Sequence, residues 1–224
     1  WSAYENLFGI QNIPKLFETY CLYRILQALK HLLCHEKGFM FFDNSGTQVE
    51  LLNEPEYWMV GNNNGFSDKI VNSEGWTISR NKKSITKRKI SGIYCKRVPD
   101  FVIKITSTNE TTKLLVFDAK YSKESLSFTE HLPQLTMKYV HGLHSKNSGQ
   151  LVTTSLSILC PSDSGLVRSF HHDRYAFDGE APAQPALQVI GLIPSEEIED
   201  NLITVVEKLL VLNKVKLIGD TGSR

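Results

Sequence analysis

Residues 97–121 read RVPDFVIKITSTNETTKLLVFDAKY, and this stretch decides the fold because it predicts a β-hairpin. Two runs rich in Val, Ile, Leu and Phe, at 101–105 and 113–119, flank the polar segment 107–112. This pattern is typical of two antiparallel strands joined by a turn. Because side chains alternate between the faces of a strand, one face of the hairpin is predicted to be core. That face carries Phe101, Ile103, Ile105, Leu115, Phe117 and Ala119.

Charged side chains gather at the open end of this hairpin. With the turn centred near Asn109, Asp100 faces Asp118, and such cross-strand neighbours have Cβ atoms about 4.5–5.5 Å apart. Alternation places Lys120 on the same side as Asp118. Two facing carboxylates repel each other unless a cation lies between them or one is protonated. The pattern therefore favours a metal-binding or catalytic site, and the alternative is a solvated strand end at which Lys120 pairs with one of the acids.

Apolar residues at helical spacing predict a helix upstream of the hairpin. Asn12 fits the N-cap and Pro14 the first turn, and the helical pattern extends to about Lys37. The buried stripe of this helix consists of Leu22, Ile25, Leu29 and Leu32. One step further back in the stripe is Glu18, a carboxylate that is costly to bury unless it is paired or bound to a metal. Glu18 therefore either joins a site or lies at the edge of the buried face, where it meets water or an arginine.

The hairpin and the helix together resemble a known family. Pro99-Asp100, followed by Asp118-Ala119-Lys120, resembles the PD-(D/E)XK nuclease signature, and both halves lie on predicted strands. The sequences DAKY at 118–121 and IPKLFETYCLYRIL at 13–26 resemble the McrC-like branch of restriction endonucleases. The resemblance implies an α/β fold with a restriction-endonuclease-like αβββαβ core, in which helices flank a mixed sheet and a β-hairpin region is added.

The resemblance also implies roles for individual residues. Asp100 and Asp118 would bind Mg²⁺, the Ala119 carbonyl would add a ligand, and Glu18 would complete the metal shell directly or through water. Mg²⁺ suits such a site because it prefers carboxylate and water oxygens, and we expect Mn²⁺ to substitute for it. Lys120 would lie beside the attacked phosphate and stabilise its developing negative charge.

A second helix is predicted after the hairpin, beginning at about residue 129 or 133 and ending at Ser145. PD-(D/E)XK nucleases often add a helical Gln or Lys after the D-x-K strand, and the resemblance assigns this role to Gln134, with Lys138 as the alternative. The frequent Q-x-x-x-Y form is not met, because Tyr139 is one position late.

Residues 38–96 predict a β-rich elaboration. Short β-like runs at 39–42, 47–52, 56–60 and 76–80 are separated by turn-rich sequence. We expect them to form hairpins that extend one end of the sheet.

A basic cluster lies within this elaboration. The whole chain has 25 basic and 24 acidic residues, a net charge of +1, so any affinity for DNA must come from local clustering. The cluster suits contact with a phosphate backbone, and a solvated hairpin tip is the alternative. It comprises Arg80, Lys82, Lys83, Lys87, Arg88 and Lys89.

The remaining sequence completes the predicted core. Residues 151–160 and 187–193 are predicted strands, and a helix beginning at Ser195 is expected to cover the sheet. The polar segment 161–185 between the strands is unusually long for a loop without secondary structure.

Composition predicts one domain of 224 residues with a loose tail at 219–224, since 41% hydrophobic content suffices for a substantial core. The chain begins at Trp1, so we expect it to be a piece of a longer protein. Four scattered cysteines without metal-binding spacing favour reduced thiols in the cytoplasm. No apolar run approaches the roughly 20 residues that span a bilayer.

The resemblance implies a Mg²⁺-dependent DNA endonuclease, the nuclease module of a restriction or phage-defence system. McrC-like nucleases also need a ring-forming AAA+ GTPase or ATPase as a partner, so such a subunit is expected, and a homodimer is an open possibility. Two alternatives remain. One is a non-catalytic nucleic-acid-binding or assembly module that retains the fold, and the other is a different hydrolase or a metal-free domain with a chance motif match.

Overall fold

The structure is a computed structural model, and it describes residues 13–33, 35–59, 69–78, 84–87, 96–193 and 201–218. The strands within these residues are β1 (His35–Lys37), β2 (Met40–Phe42), β3 (Gln48–Asn53), β4 (Tyr57–Trp58), β5 (Ile70–Asn72), β6 (Trp76–Ile78), β7 (Ile85–Lys87), β8 (Lys96–Arg97), β9 (Phe101–Thr106), β10 (Thr112–Ala119), β11 (Leu143–Ser145), β12 (Thr153–Pro161), β13 (Val167–Ser169) and β14 (Ala186–Leu192).

Within the same described residues, three longer helical segments pack on these strands: α1 (Ile13–Leu32), α2 (124–140) and α3 (Asn201–Leu212). A single 3-10 turn, Asp173–Tyr175, lies in the segment before β14. Helix α2 is irregular, because α-helical turns alternate with two π-helical stretches, Ser127–His131 and Thr136–Val140. Among the described residues, no helix combines the length and the apolar character needed to cross a membrane.

An eight-stranded mixed sheet has the order β1-β2-β3-β9-β10-β12-β14-β13. Along this order, neighbouring strands pair antiparallel from β1 through β2, β3 and β9 to β10. Strands β10, β12 and β14 run parallel, and β13 pairs antiparallel with β14 at the edge. The sequence α1, β3, β9, β10, α2, β12 gives the αβββαβ order, so the predicted restriction-endonuclease-like fold is confirmed.

The central hairpin has the predicted register. Phe117 pairs with Phe101 and Thr112 with Thr106, which brings Asp118 opposite Asp100 just beyond the last pair. Strand β10 also pairs with β12, so its backbone is bonded on both sides. This rigid central strand carries the first candidate residue of the site.

Both faces of the central strands of the sheet are buried. Helices α1 and α3 cover one face, the one predicted to be core, and α2 covers the other, where Val102, Leu114 and Val116 are fully buried. Only the first of these two cores was predicted from the sequence. Strands with parallel neighbours are usually covered on both faces, which is why their sequences are apolar almost throughout.

Helix α1 is shorter than predicted. Ile25, Leu29 and Leu32 are buried and Leu22 is half-buried, as the stripe indicated, but the helix ends at Leu32 and residues 35–37 form β1. The prediction that the helix continues to Lys37 was therefore wrong, because the last three residues of that pattern pair with β2 instead.

The β-rich region extends the sheet only in part. Strands β1, β2 and β3 lengthen one end of it, as predicted, but the runs at 56–60 and 76–80 do not join it. The described parts of these runs include β4 and β6, which pair with β8 and β7, and β5 pairs with β11, in separate two-stranded sheets. Each of these strands is only two or three residues long, and its partner comes from the same region or from β11.

The predicted end of the second helix was also wrong. Helix α2 spans 124–140, and Leu143–Ser145 forms β11 against β5. Gly142 permits the change of direction, since a Cβ at this position would lie 2.1 Å from the Lys138 carbonyl oxygen. The polar segment 161–185 contains β13 and the 3-10 turn, and the predicted start of the last helix at Ser195 lies outside the described residues.

Candidate active site

Strand β10 places Asp118 at the end of the central sheet. Asp118 lies on the face covered by α2, alternating with Leu114 and Val116, and only 2% of the residue is exposed. Beyond the strand, the Lys120 backbone N–H donates to the Leu159 carbonyl at 2.8 Å, so the pairing with β12 continues past the strand end. The backbone that carries Asp118 and Lys120 is therefore fixed on both sides.

Asp100 precedes β9 and is tied across the hairpin. The backbone N–H of Ala119 donates to the Asp100 Oδ2 at 2.8 Å. The Asp100 carbonyl in turn accepts from the Glu54 N–H at 2.8 Å, which fixes the residue from the β3 side. These two bonds hold the Asp100 carboxylate beside Asp118.

The Lys120 ammonium lies among the oxygens of this hairpin end. It donates to Asp118 Oδ1 and, at 3.2 Å, to the Ala119 carbonyl, and it lies 3.9 Å from Asp100 Oδ2. One cation therefore contacts or faces each of the three oxygen groups that the sequence analysis assigned to a metal at the hairpin. Lys120 remains 30% exposed, so this point is accessible from solvent.

The two carboxylates have raised pKa values. Burial, followed by the negative charge of Asp118, raises the pKa of Asp100 to about 6, although Lys120 and the Ala119 N–H oppose the change. Burial also raises the pKa of Asp118, against the lowering effect of Lys120. Such perturbed pairs occur preferentially at functional sites. The site thus favours an additional positive charge near both carboxylates.

A match to a known protein family identifies the superfamily of the chain. The sequence model of the PD-(D/E)XK nuclease superfamily matches residues 15–132, more than half of the 224 residues. The chain belongs to the PD-(D/E)XK nuclease superfamily. No curated protein and no solved structure matches the chain.

The matched range covers the same elements that build the site. It begins in α1 and ends in α2, so it includes Glu18 and the whole hairpin with Asp100, Asp118 and Lys120. Gln134 lies beyond its end. Membership in this superfamily supports a nuclease, and members usually use divalent metal ions.

The donor set at the hairpin end fits a divalent metal ion. Two carboxylates and one carbonyl are hard oxygen ligands of the kind that Mg²⁺ prefers, and Mg²⁺ usually keeps several waters. Across the described part of the chain, no three His, Cys, Asp or Glu side chains form a metal cluster. The residues present therefore suit a metal held by few protein ligands rather than an all-protein cage.

Glu18 lies at the edge of this site. Its carboxylate is 2.7 Å from the Lys15 ammonium, which also lies 3.1 Å from Glu54, the residue whose N–H bonds Asp100. The charge of Glu18 contributes to the raised pKa of Asp100, but less than burial or Asp118 does. The structure thus places Glu18 near Asp100 and in an ion pair with Lys15, and its role in metal binding stays a prediction.

Gln134 is exposed on α2, and no hydrogen bond among the described residues joins it to the hairpin end. The alternative, Lys138, is half-buried, and its electrostatic interaction with Asp118 lowers the pKa of that carboxyl, as does the interaction with His131. Both side chains thus act on Asp118 from α2. Lys138 was weighed in the sequence analysis, whereas His131 was missed, although it lies two helical turns before Lys138.

Tyr139 lies in an irregular part of α2. Residues Thr136–Val140 form a π-helical turn, in which the His141 N–H donates to the Thr136 carbonyl. Tyr139 is buried against the sheet, whereas Gln134 is exposed, so the two side chains lie on different sides of α2. The Tyr139 hydroxyl donates to the Val98 carbonyl at 3.0 Å, two residues before Asp100.

Arg97 is a further residue beside the site. Its guanidinium donates two hydrogen bonds to the Glu74 carboxylate, and each side chain is only about one fifth exposed. In the sequence, only the position of Arg97 three residues before Asp100 indicated that it lies near the site.

The predicted basic cluster is only partly described. Lys87 is exposed on β7. The other five members, Arg80, Lys82, Lys83, Arg88 and Lys89, lie outside the described residues.

Proposed function

We propose that this chain is a divalent-metal-dependent DNA endonuclease with Mg²⁺ as its metal and Mn²⁺ as a substitute. The observation that carries the proposal is the hairpin end, where the Lys120 ammonium bonds the buried Asp118 carboxylate and the Ala119 carbonyl and faces Asp100. An acidic pair beside a lysine, on a fold of this superfamily, supports hydrolysis of phosphodiester bonds.

Asp100, Asp118 and the Ala119 carbonyl would hold the metal, with Glu18 bound directly or through water. When bound, a divalent cation supplies Lewis-acid stabilisation of the negative charge that develops on the phosphate. The buried position of Asp118 and the bond from Ala119 N–H to Asp100 keep these ligands oriented before DNA arrives. Such preorganisation reduces the cost of assembling the site.

Lys120 would change partners when a metal and DNA are bound. In the structure its ammonium neutralises Asp118. With the Asp118 carboxylate neutralised by a bound divalent cation, the Lys120 ammonium would be available to contact a phosphate oxygen and stabilise its charge in the transition state. Lys120 acts here as a charge stabiliser, and proton removal need not be its role.

The biological setting is proposed from the sequence resemblance alone. DAKY at 118–121 and the segment 13–26 resemble McrC-like nucleases, which favours a restriction or phage-defence nuclease that works with an AAA+ GTPase or ATPase. A homodimer that cuts both strands fits the same proposal.

The test is cleavage of supercoiled plasmid DNA by the purified chain with Mg²⁺. Closed circular DNA has no ends, so its conversion to nicked or linear forms reports internal cuts. We expect EDTA to stop the reaction and Asp118→Ala or Lys120→Ala to reduce it by about 100-fold or more. Lys37→Ala, at an exposed position on β1, serves as the control. Undiminished cleavage by either site variant would exclude the proposed mechanism.

A further inference from the structure

A short antiparallel ribbon, formed by β6 and β7, presents an exposed apolar and basic face. Trp76 pairs with Lys87, and Ile78 pairs with Ile85. Because side chains alternate along a strand and directly paired residues share a face, Trp76, Ile85 and Lys87 occupy one face. Trp76 is 63% exposed and Ile85 is 72% exposed, and Lys87 is exposed as well.

The charge of this part of the chain is unusual. Residues 76–89 contain six Lys and Arg and no Asp or Glu, a net charge of +6. Since the whole chain has 25 basic and 24 acidic residues, the remainder has 19 and 24, a net charge of −5. This stretch of sequence therefore carries a local excess of positive charge, to which Lys87 contributes from the ribbon itself.

The base of the ribbon is attached beside the candidate active site. Glu74 binds Arg97 through both carboxylate oxygens, and Arg97 lies three residues before Asp100. The Ser73 N–H donates to the Gly142 carbonyl at 2.9 Å, just after α2. Trp76 follows Glu74 by two residues, roughly 7 Å of extended chain. A nucleic acid strand at Asp100 is thus within reach of the ribbon.

We propose that the exposed face of this ribbon binds the DNA strand next to the active site, with Trp76 stacking on an unpaired base and Lys87 contacting a neighbouring phosphate. The identity of the ligand as DNA rests on the proposed function. An exposed aromatic ring beside a cation is the combination with which proteins bind single strands, since stacking serves any base and the cation follows the backbone. The preferred substrate then has an unpaired segment beside the cleavage point.

Fluorescence of Trp76 tests this contact directly. The chain has three tryptophans, Trp1, Trp58 and Trp76, so the double variant Trp1→Phe/Trp58→Phe leaves Trp76 as the only one. Oligothymidylate added in EDTA should quench its emission, and the quenching should follow binding measured by the anisotropy of a label on the DNA. Binding without any change in Trp76 emission would overturn the proposal.

Affinity measurements provide the second test. Trp76→Ala should weaken binding of oligothymidylate about 10-fold, whereas Trp76→Phe retains most of the affinity because its ring can still stack. Phe39→Ala removes a 53% exposed aromatic ring between β1 and β2 and should have no effect. Trp76→Ala should weaken the binding of a blunt duplex of equal length much less than it weakens the binding of the single strand.

The outcomes separate this proposal from the proposed function. An equal loss for single strand and duplex, or no loss for either, would overturn the stacking of Trp76 on an unpaired base while plasmid cleavage stands. Quenching and a selective loss, in a protein that does not cleave DNA with Mg²⁺, would support the ribbon and overturn the nuclease proposal instead.

Discussion

The Lys120 ammonium bonds the carboxylate of Asp118, a group that is almost fully buried at the end of the central strand. The same ammonium donates to the Ala119 carbonyl. A lysine thus provides the positive charge at the point where we propose that a divalent cation binds. Metal binding at this point requires the ammonium to move away from Asp118.

Removal of this charge should separate metal binding from catalysis. Lys120→Met keeps the length of the side chain but no longer competes for the Asp118 oxygens or repels a cation, so we expect Mn²⁺ to bind about 10-fold more tightly. Cleavage should fall by about 100-fold or more, because no ammonium stabilises the phosphate. Isothermal titration and plasmid cleavage measure the two effects, with Lys37→Met as the control. Weaker Mn²⁺ binding by Lys120→Met would contradict the assigned position of the ammonium.

Asp100→Asn should stabilise the metal-free protein at neutral and alkaline pH. The folded-state pKa of Asp100 is about 6 and its ordinary value is 3.8. Between these values the unfolded chain releases a proton that the folded chain keeps, so stability decreases as pH rises through this window. Asn removes this cost and still accepts the Ala119 N–H.

Urea unfolding in EDTA measures the effect of Asp100→Asn. At pH 8 the variant should exceed the wild type in free energy of unfolding by about 1–3 kcal/mol, and near pH 4 the two should converge. Asp163→Asn changes an exposed carboxylate and serves as the control. A variant that is less stable than the wild type at pH 8 would show that the charge of Asp100 does not destabilise the metal-free protein.

Metal binding should release protons at mildly acidic pH. A carboxylate must be ionised to bind a metal, and the raised pKa of Asp100, about 6, leaves it partly protonated near pH 6 and ionised at pH 8. Mn²⁺ should therefore bind more weakly as pH falls from 7 to 5. Titrations in two buffers of different ionisation enthalpy count the protons released, and we expect release near pH 6 and almost none at pH 8. Equal release at both values would argue against Asp100 as a ligand.

Glu18 and Glu54 offer a matched comparison, because both carboxylates contact the Lys15 ammonium. Glu18→Gln should weaken Mn²⁺ binding about 10-fold, since a negative charge that Asp100 experiences is removed. Glu54→Gln disturbs the same lysine but keeps the backbone bond to Asp100, so its affinity should stay near that of the wild type. If Glu54→Gln weakens Mn²⁺ binding as much as Glu18→Gln does, Glu18 acts through Lys15 and is not part of the metal shell.

The hairpin could be predicted from sequence because its determinants are local. The polar turn lies between two apolar runs, and alternation then fixes which residues face each other, as the pairing of Phe101 with Phe117 confirms. The same reasoning brought Asp100, Asp118 and Lys120 to one end of the sheet, which is where the structure has them.

Features that depend on distant partners could not be predicted in this way. The helical pattern at 143–145 gives way to β11 because β5, about seventy residues earlier, offers backbone partners. The second buried face exists because α2 packs on strands whose apolar residues alone do not show what covers them. The two π-helical stretches of α2 were not predicted, since a π-turn cannot be recognised from residue types.

Mn²⁺ titration of Asp118→Asn is the most direct test of the central claim, that the hairpin end is the metal site of a nuclease. The substitution preserves the size of a buried side chain while removing its charge, and thermal unfolding verifies that the variant is folded. We predict that the wild type binds Mn²⁺ and that Asp118→Asn loses this binding. Equal Mn²⁺ affinity in the folded variant and the wild type would contradict the account.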